Sequence, residues 1–426
     1  MAGRPDDMPD FADPQHGLPR LSQLWSAEME EAAVCLALSP KGQLLAVGTV
    51  DDAIAVLDVG SGAVAHTLAG HRGGTNGLAF LSGNSLVSVG EDGAARVWNV
   101  ARAACLHELP VDAEGADRTR GGHSVNHLAA APGGKAFACA AGRLVTIFTL
   151  GASAQAAPSK KVLGPMESTV ESLRFDRHGN LLATYNGGVS YWRFDRTEEE
   201  KRELALPYAG ACLCGDVTPG VDYIVAGCHD ATVHIYHFKQ QRQSGVELQE
   251  MTCGGYDSKV TAVDFNPRGD RMASSGGDKN TVWNFSGSPT GTMPTLAVGH
   301  YGAITCQAWQ PDADGWLATG GKDGRLFIYD VDNGVPIGKD MPFVCQPGAV
   351  GAADDDDEMT ALIFARQGLL YSGHISGMVR KWELPSAGSS DEDEEEDAPE
   401  AVALQQQRRL PGQQQPAAPA AAGGHS

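Results

Sequence analysis

No apolar run in this 426-residue sequence approaches the roughly 18 consecutive residues that a membrane-crossing helix requires. The nine cysteines are scattered and none is paired as C-x-x-C, so the usual spacing of a structural zinc site is missing. Also missing are HExxH, which would place two metal ligands on one helical face, the G-x-x-x-x-G-K-[ST] phosphate loop and the G-x-S-x-G nucleophile elbow. An enzymatic reading therefore has no named nucleophile, base or metal ligand, and no cofactor is expected. Basic residues are scarce: 32 Lys and Arg stand against 53 Asp and Glu, a formal charge of −21. Such a chain repels phosphate backbones and anionic lipid, which argues against direct nucleic-acid or membrane binding and favours basic protein partners. Two acidic runs, Asp354 to Glu358 and Asp391 to Asp397, carry twelve of these charges. The first residues hold acids where a secretory leader has a basic start and an apolar stretch. With the unpaired cysteines, this sets the expectation of a reducing compartment, the cytoplasm, with the nucleus as the alternative.

What the sequence does have is glycine, 53 residues of it, and a repeat. Eight segments share one plan: an apolar alternating strand, a Gly or Pro turn, a second strand of small residues, a tight polar turn, and a third strand ending near a large residue. The third strands read AIAVLDV, AARVWNV, LVTIFTL, GVSYWRF, TVHIYHF, NTVWNF, RLFIYDV and MVRKWEL. Their large residues are Leu57, Trp98, Phe148, Trp192, Tyr236, Trp283, Tyr329 and Trp382, at spacings of 41, 50, 44, 44, 47, 46 and 53. First strands begin upstream at Val34, Asn76, Val125, Val170, Ala211, Val260, Ile304 and Met359.

In the second unit Gly70-His71 precedes the first strand, Ser88 sits in the second, Asp92 in the tight turn and Trp98 in the third. The seventh unit repeats this with Gly299-His300, Thr319, Asp323 and Tyr329, again 4 and 10 residues apart from the hydroxyl onwards. These residues resemble the WD-repeat family, in which His, Ser or Thr, Asp and Trp form a hydrogen-bonded network inside a blade. The phrases GYDSKVTAVDFNP and VWNFSG are similar to bacterial-type, stand-alone members. The resemblance implies an all-β WD-repeat propeller, of eight blades with seven as the alternative, and a structural role for His71, Ser88, Asp92, Trp98, His300, Thr319, Asp323 and Tyr329. Several units depart from the pattern: Tyr256 replaces the His of the sixth, Ala226 and Val47 replace the Ser of the fifth and first, and Ser376 replaces the Asp of the eighth. After Trp382 the acidic tail leaves no room for a fourth strand. RLSQLWSAEM, just before the first unit, is expected to supply it and close the ring. The expected boundaries are a disordered segment 1–20, a propeller over 21–384 and a disordered acidic, low-complexity tail over 385–426.

Loops on a rigid scaffold are where binding chemistry is expected. Those of the Gly-His and Asp end display Arg72, Glu91, His229, Tyr256, Lys279, Tyr301, Lys322 and His374 as candidate partner contacts. Cys212, Cys214, Cys228 and His229 converge on adjoining strands, but their spacing favours buried structural thiols over a metal site. Ser389 and Ser390 each have an acid three residues on, as at the site of an acid-directed kinase. The leading expectation is a non-catalytic scaffold, a monomeric propeller within a multiprotein complex. The rivals are an acidic assembly factor for basic clients such as histones or ribosomal proteins, and a hydrolase or metal enzyme built on the propeller axis.

Overall fold

The computed structural model describes residues 20–113, 124–153, 156–194, 203–241, 245–287, 292–312, 315–336, 343–345, 349–352 and 357–384. They all belong to a compact unit spanning Met1–Pro385; the second unit, Ser386–Ser426, lies outside the described residues together with both candidate phosphorylation sites and the tail's acidic run. Segments 1–19 and 353–356 lie outside as well, so the expected disorder of 1–20 and 385–426 is not described.

Why the sequence forms these strands is visible in their burial. Second and third strands such as Ser85–Gly90 and Ala94–Asn99 are buried on both faces, because the neighbouring units cover them, and so they read as short continuous apolar runs. Fourth strands such as Val64–Ala69 and Ala104–Pro110 lie at the outer edge and alternate between exposed and covered side chains. Short turns of 3-10 helix are the only helical elements among the described residues, and no helix is long and apolar enough to cross a membrane.

The first strands succeed one another around an axis. Ala33–Leu38 packs on Thr75–Phe80, which packs on His127–Ala130, and so on through Val170–Phe175, Glu203–Val217, Ala262–Phe265, Ile304–Trp309 and Met359–Phe364, which returns to Ala33–Leu38. Eight repeat units thus form the ring. Counted as continuous hydrogen-bonded sheets, however, there are seven among the described residues, five of four strands and two of six. The count of eight separate blades is corrected to seven at the junction of the fourth and fifth units. There Glu203–Val217 pairs first with Leu181–Trp192 and then with Tyr223–Cys228, so one sheet runs through both units. The other six-stranded sheet arises from the seventh unit's insertion: Phe343–Cys345 adds in parallel to Thr295–Ala297 of the sixth unit, and Val335–Pro336 adds outside it.

The hydrophobic core is divided among the interfaces between units. One layer packs Val87, Val89 and Val97 of the second unit on Phe137 and Phe148 of the third. Another packs Leu45 and Leu57 of the first on Tyr371 and Val379 of the eighth. Fully burying one such side chain is worth about 1.5–3 kcal/mol. Side chains on the first strands add a second tie, donating to the carbonyl that opens the next unit: Asn76 Nδ2 to Val125 O at 3.1 Å, and the hydroxyls of Thr305 and Thr360 to Met359 O and Ala33 O. Cys35 and Cys214 place thiols in the same position, 3.6 and 3.7 Å from Thr75 O and Val260 O.

Ring closure uses the N-terminal strand, as the sequence suggested. Ser22–Glu28 runs antiparallel to Met378–Glu383, from Ser22 opposite Glu383 to Glu28 opposite Met378. Leu24 falls at a bulge in this pairing and is exposed, whereas Trp25 turns inward and its indole N–H donates to Val59 O at 2.9 Å. Lys381 Nζ reaches the same carbonyl at 3.1 Å, so the eighth unit is fastened to the first. Gly62, at φ +74, lies under this indole, and a Cβ there would stand 2.8 Å from Trp25 Cδ2. Glycine is required both for the turn and for the close approach.

Candidate functional site: the loop face

At one end of the ring, the tight turn of each unit is braced by the loops that enter its own and the next first strand. Glu91 N donates to Gly74 O, Val125 N to Gly90 O, Lys322 N to Ala303 O and Ile375 N to Glu358 O. Beneath this face lie the polar networks.

In the second unit Trp98 Nε1 donates to Ser88 Oγ at 2.8 Å, Ser88 Oγ and His71 Nε2 are 2.6 Å apart, and His71 Nδ1 lies 3.0 Å from Asp92. With the imidazole protonated on Nδ1, the indole donates to the hydroxyl, the hydroxyl to the imidazole and the imidazole to the carboxylate, and all four groups are satisfied. Burial alone would raise the Asp92 pKa. The hydrogen bond from His71, together with the Arg72 N–H and the Arg96 guanidinium 2.6 Å away, outweighs it and holds the carboxyl well below its usual range. Gly90 makes room for the ring, since a Cβ there would lie 2.9 Å from His71 Nδ1.

The seventh unit has the same core, with Thr319 Oγ1 2.8 Å from His300 Nε2 and His300 Nδ1 3.0 Å from Asp323. The role expected of Tyr329 is corrected: its hydroxyl donates to Val298 O at 3.1 Å, so its single proton does not serve Thr319 as an indole N–H would. In the sixth unit Tyr256 takes the histidine's place. Trp283 Nε1 donates to its hydroxyl at 2.9 Å, the hydroxyl lies 2.6 Å from Ser274 Oγ, and Ser274 donates onward to Thr281 O. Tyr256 is thus part of the blade and not a free partner contact.

The eighth unit holds a network that the sequence pattern missed, because its histidine and aspartate have exchanged places. Trp382 Nε1 donates to Ser372 Oγ at 2.9 Å, and Ser372 Oγ is 2.9 Å from His374 Nε2. His374 Nδ1 faces Asp357, 3.2 Å from its carbonyl and 3.4 Å from its carboxylate. His374 stands two residues after the hydroxyl, where the second and seventh units have Gly90 and Gly321, and Asp357 comes from the loop that elsewhere brings the histidine. Arg380 Nη2, 3.5 Å from the carboxylate, matches Arg96. His374 is completely buried, which corrects its assignment as a partner contact. Burial also lowers its pKa, keeping the ring neutral.

Of the remaining candidates, Arg72, Glu91, His229, Tyr301 and Lys322 are exposed on the loop face, while Lys279 is half-buried and pairs with Asp257 at 3.1 Å. Tyr301 is 63% exposed with Arg325 stacked on its ring at 4.7 Å, and Ile375 is 53% exposed. An exposed tyrosine held by an arginine is a pre-oriented contact of the kind enriched at interaction hot spots.

Towards the axis, Arg174 of the fourth unit binds Asp216 of the fifth at 2.8 Å and Asp264 of the sixth at 2.7 Å. Gln307 of the seventh donates to Asp264 at 2.9 Å. Burial pushes Asp216 up to about 6 against the opposing pull of Arg174. Four units are bound together by this chain, which sequence reading could not assemble from residues up to 133 positions apart.

Cys212 and Cys228 are opposed across neighbouring strands, both fully buried, with their Sγ atoms 3.8 Å apart. The contact with Cys228 and burial raise the Cys212 pKa, and burial raises that of Cys214, so neither is a ready thiolate. His229 points outward, and among the described residues no group of three or more His, Cys, Asp or Glu is placed to hold a metal ion.

The profile of the WD domain, G-beta repeat, matches residues 62–99, 248–284 and 287–330, which include the third strands of the second, sixth and seventh units. The chain contains WD repeats. Telomerase protein component 1 of Mus musculus is 23% identical over 318 residues, 73% of this chain and 11% of that protein. The WD repeat-containing protein ATCSA-1 of Arabidopsis thaliana is 40% identical over 68 residues, 16% of this chain and 15% of that protein, and GATOR2 complex protein WDR24 of Danio rerio is 24% identical over 157 residues, 36% and 19%. The chain therefore spans only a small part of the curated relatives it matches. Among solved structures, the computationally designed Ika8 protein superposes with a TM-score of 0.62 at 21% identity, covering 84% of this chain and 98% of that one, a likeness of fold.

Proposed function

We propose that this WD-repeat propeller is a non-catalytic scaffold whose loop face binds protein partners and assembles them into a complex. The observation that carries this reading is the division of labour at that face. The Ser, His and Asp sets that could resemble catalytic machinery are consumed in holding the blades, whereas Arg72, Tyr301, Lys322 and Ile375 stand exposed on turns those networks keep rigid. Rigid presentation lowers the ordering cost of binding. That two of the relatives are a telomerase component and a GATOR2 complex protein, both named for assemblies, supports the same reading.

The test is quantitative crosslinking and mass spectrometry of native complexes containing the wild-type chain, the triple variant Arg72→Glu, Tyr301→Ala, Lys322→Glu, and a control with Val162→Glu on an outer strand. Selective loss of partners in the triple variant is expected. An unchanged partner set with a folded triple variant would sink the loop-face assignment.

A further inference from the structure

Where the last and first units meet, a groove of about 300 Å³ opens beside the closing strand. Its aliphatic part is formed by Ala55 and Val64, the latter 53% exposed although it begins an outer strand. Glu28, Glu30 and Glu31 at the end of the closing strand line it on one side, and Asp51 of the first unit's tight turn lines it on the other. The lining includes no Lys, Arg or His, and among the described residues none of the four carboxylates has a cationic partner. Asp92, Asp216, Asp264 and Asp357, by contrast, each have an arginine partner. Here four like charges stand around an exposed valine, an arrangement that costs repulsion and desolvated contact unless something cationic and partly aliphatic covers it.

We propose that this seam groove binds an extended basic segment of a partner protein, with lysine or arginine side chains against the four carboxylates and an aliphatic side chain on Val64 and Ala55. The proposal rests on the scaffold reading and gives it one partner chemistry and a second surface, separate from Tyr301 and Lys322. An extended strand suits it because successive side chains point to opposite sides, which lets charge and aliphatic groups meet different walls. One side of the groove follows the closing strand, which pairs with Met378–Glu383, and the other belongs to the first unit.

The experiment uses the full chain and a fluorescent octapeptide of alternating lysine and valine, titrated at low and high salt. Neutralising Glu28→Gln, Glu30→Gln, Glu31→Gln and Asp51→Asn should weaken binding about tenfold at low salt, with the difference shrinking as salt screens it. A charge-matched control, Glu167→Gln, Asp222→Asn, Glu250→Gln and Glu383→Gln, should weaken it less than twofold. Val64→Ser, which changes no charge, should weaken it about threefold. Equal loss in the two neutralised variants would mean that the peptide responds to net charge alone and would overturn the proposal, as would unchanged binding in the groove variant or in Val64→Ser. Circular dichroism and melting check that each variant is folded. The Arg72, Tyr301, Lys322 variant should bind the octapeptide normally, so loss of partners there and failure of the groove are read separately.

Discussion

The exchanged network of the eighth unit makes a demand that ordinary packing does not. Replacing His374 by Ala leaves Ser372 without the acceptor of its proton and Asp357 without its nearest side-chain donor, both in a fully buried setting. The two lost neutral bonds, to Ser372 and to the Asp357 carbonyl, are worth about 1 kcal/mol each and the buried hydroxyl left without its acceptor about 1 more, so the expected cost is about 3 kcal/mol. Asp357→Asn keeps an acceptor oxygen but removes the charge facing Arg380, and should cost about 1–2 kcal/mol. If the two residues act as one unit, the double variant costs about 1 kcal/mol less than the sum. Because a ring of repeats need not unfold in one step, hydrogen exchange is the sharper assay than a single melting point. Amides of Met378–Glu383 and of its partner Ser22–Glu28 should exchange roughly 100-fold faster in His374→Ala, while those of the fourth and fifth units change little. Strict additivity of the pair, or exchange within about fivefold of wild type in those two strands, would refute the reasoning.

Three further outcomes follow from the same geometry. The carboxyls of Asp92 and Asp323 are held below their ordinary value of 3.8, so the stability they contribute is fully present above that value and is lost as pH falls through their lower folded values; His71→Ala should flatten the acid limb of a stability-against-pH curve, and an unchanged limb would contradict it. His374 acts in the same sense in a higher pH window: its pKa is lowered below 6.5, so stability is full above 6.5 and declines as pH falls from there towards the folded value, a slope that His374→Gln should remove in denaturant titrations at pH 5 to 7. Arg174→Met should destabilise by about 1–2 kcal/mol, less than the 3–5 of a fully buried pair because the Arg174 side chain is 44% exposed, and a neutral effect in denaturant unfolding would deny the axial network any role.

How much was legible beforehand differs from residue to residue. Trp98, Ser88, His71 and Asp92 could be read because they recur at the same offsets in the seventh unit, and a periodic pattern needs no coordinates to be seen. The network of His374 and Asp357 carried the same four chemical groups but with two of them exchanged, and a pattern that assigns a role to a position does not register an exchange. Tyr256 stands in the sequence both at the histidine position of the sixth unit and among the loop-face candidates; only its packing shows the phenol standing between Trp283 and Ser274. The second six-stranded sheet was invisible because Phe343–Cys345 joins the sixth unit from an insertion in the seventh, and strand pairing across such a distance leaves no local signal.

The sequence by itself determined the strands, their period, the repeat family and the closing role of the segment around Trp25, because each depends on alternation, turn residues and spacing along the chain. Tertiary structure alone decided which polar residues are consumed and which are offered. Burial and hydrogen bonding are properties of neighbours, and in a closed ring the neighbours of Asp216 are Arg174 and Phe265, those of Val59 are Trp25 and Lys381, and the glutamates that follow the closing strand come to share one groove with Asp51.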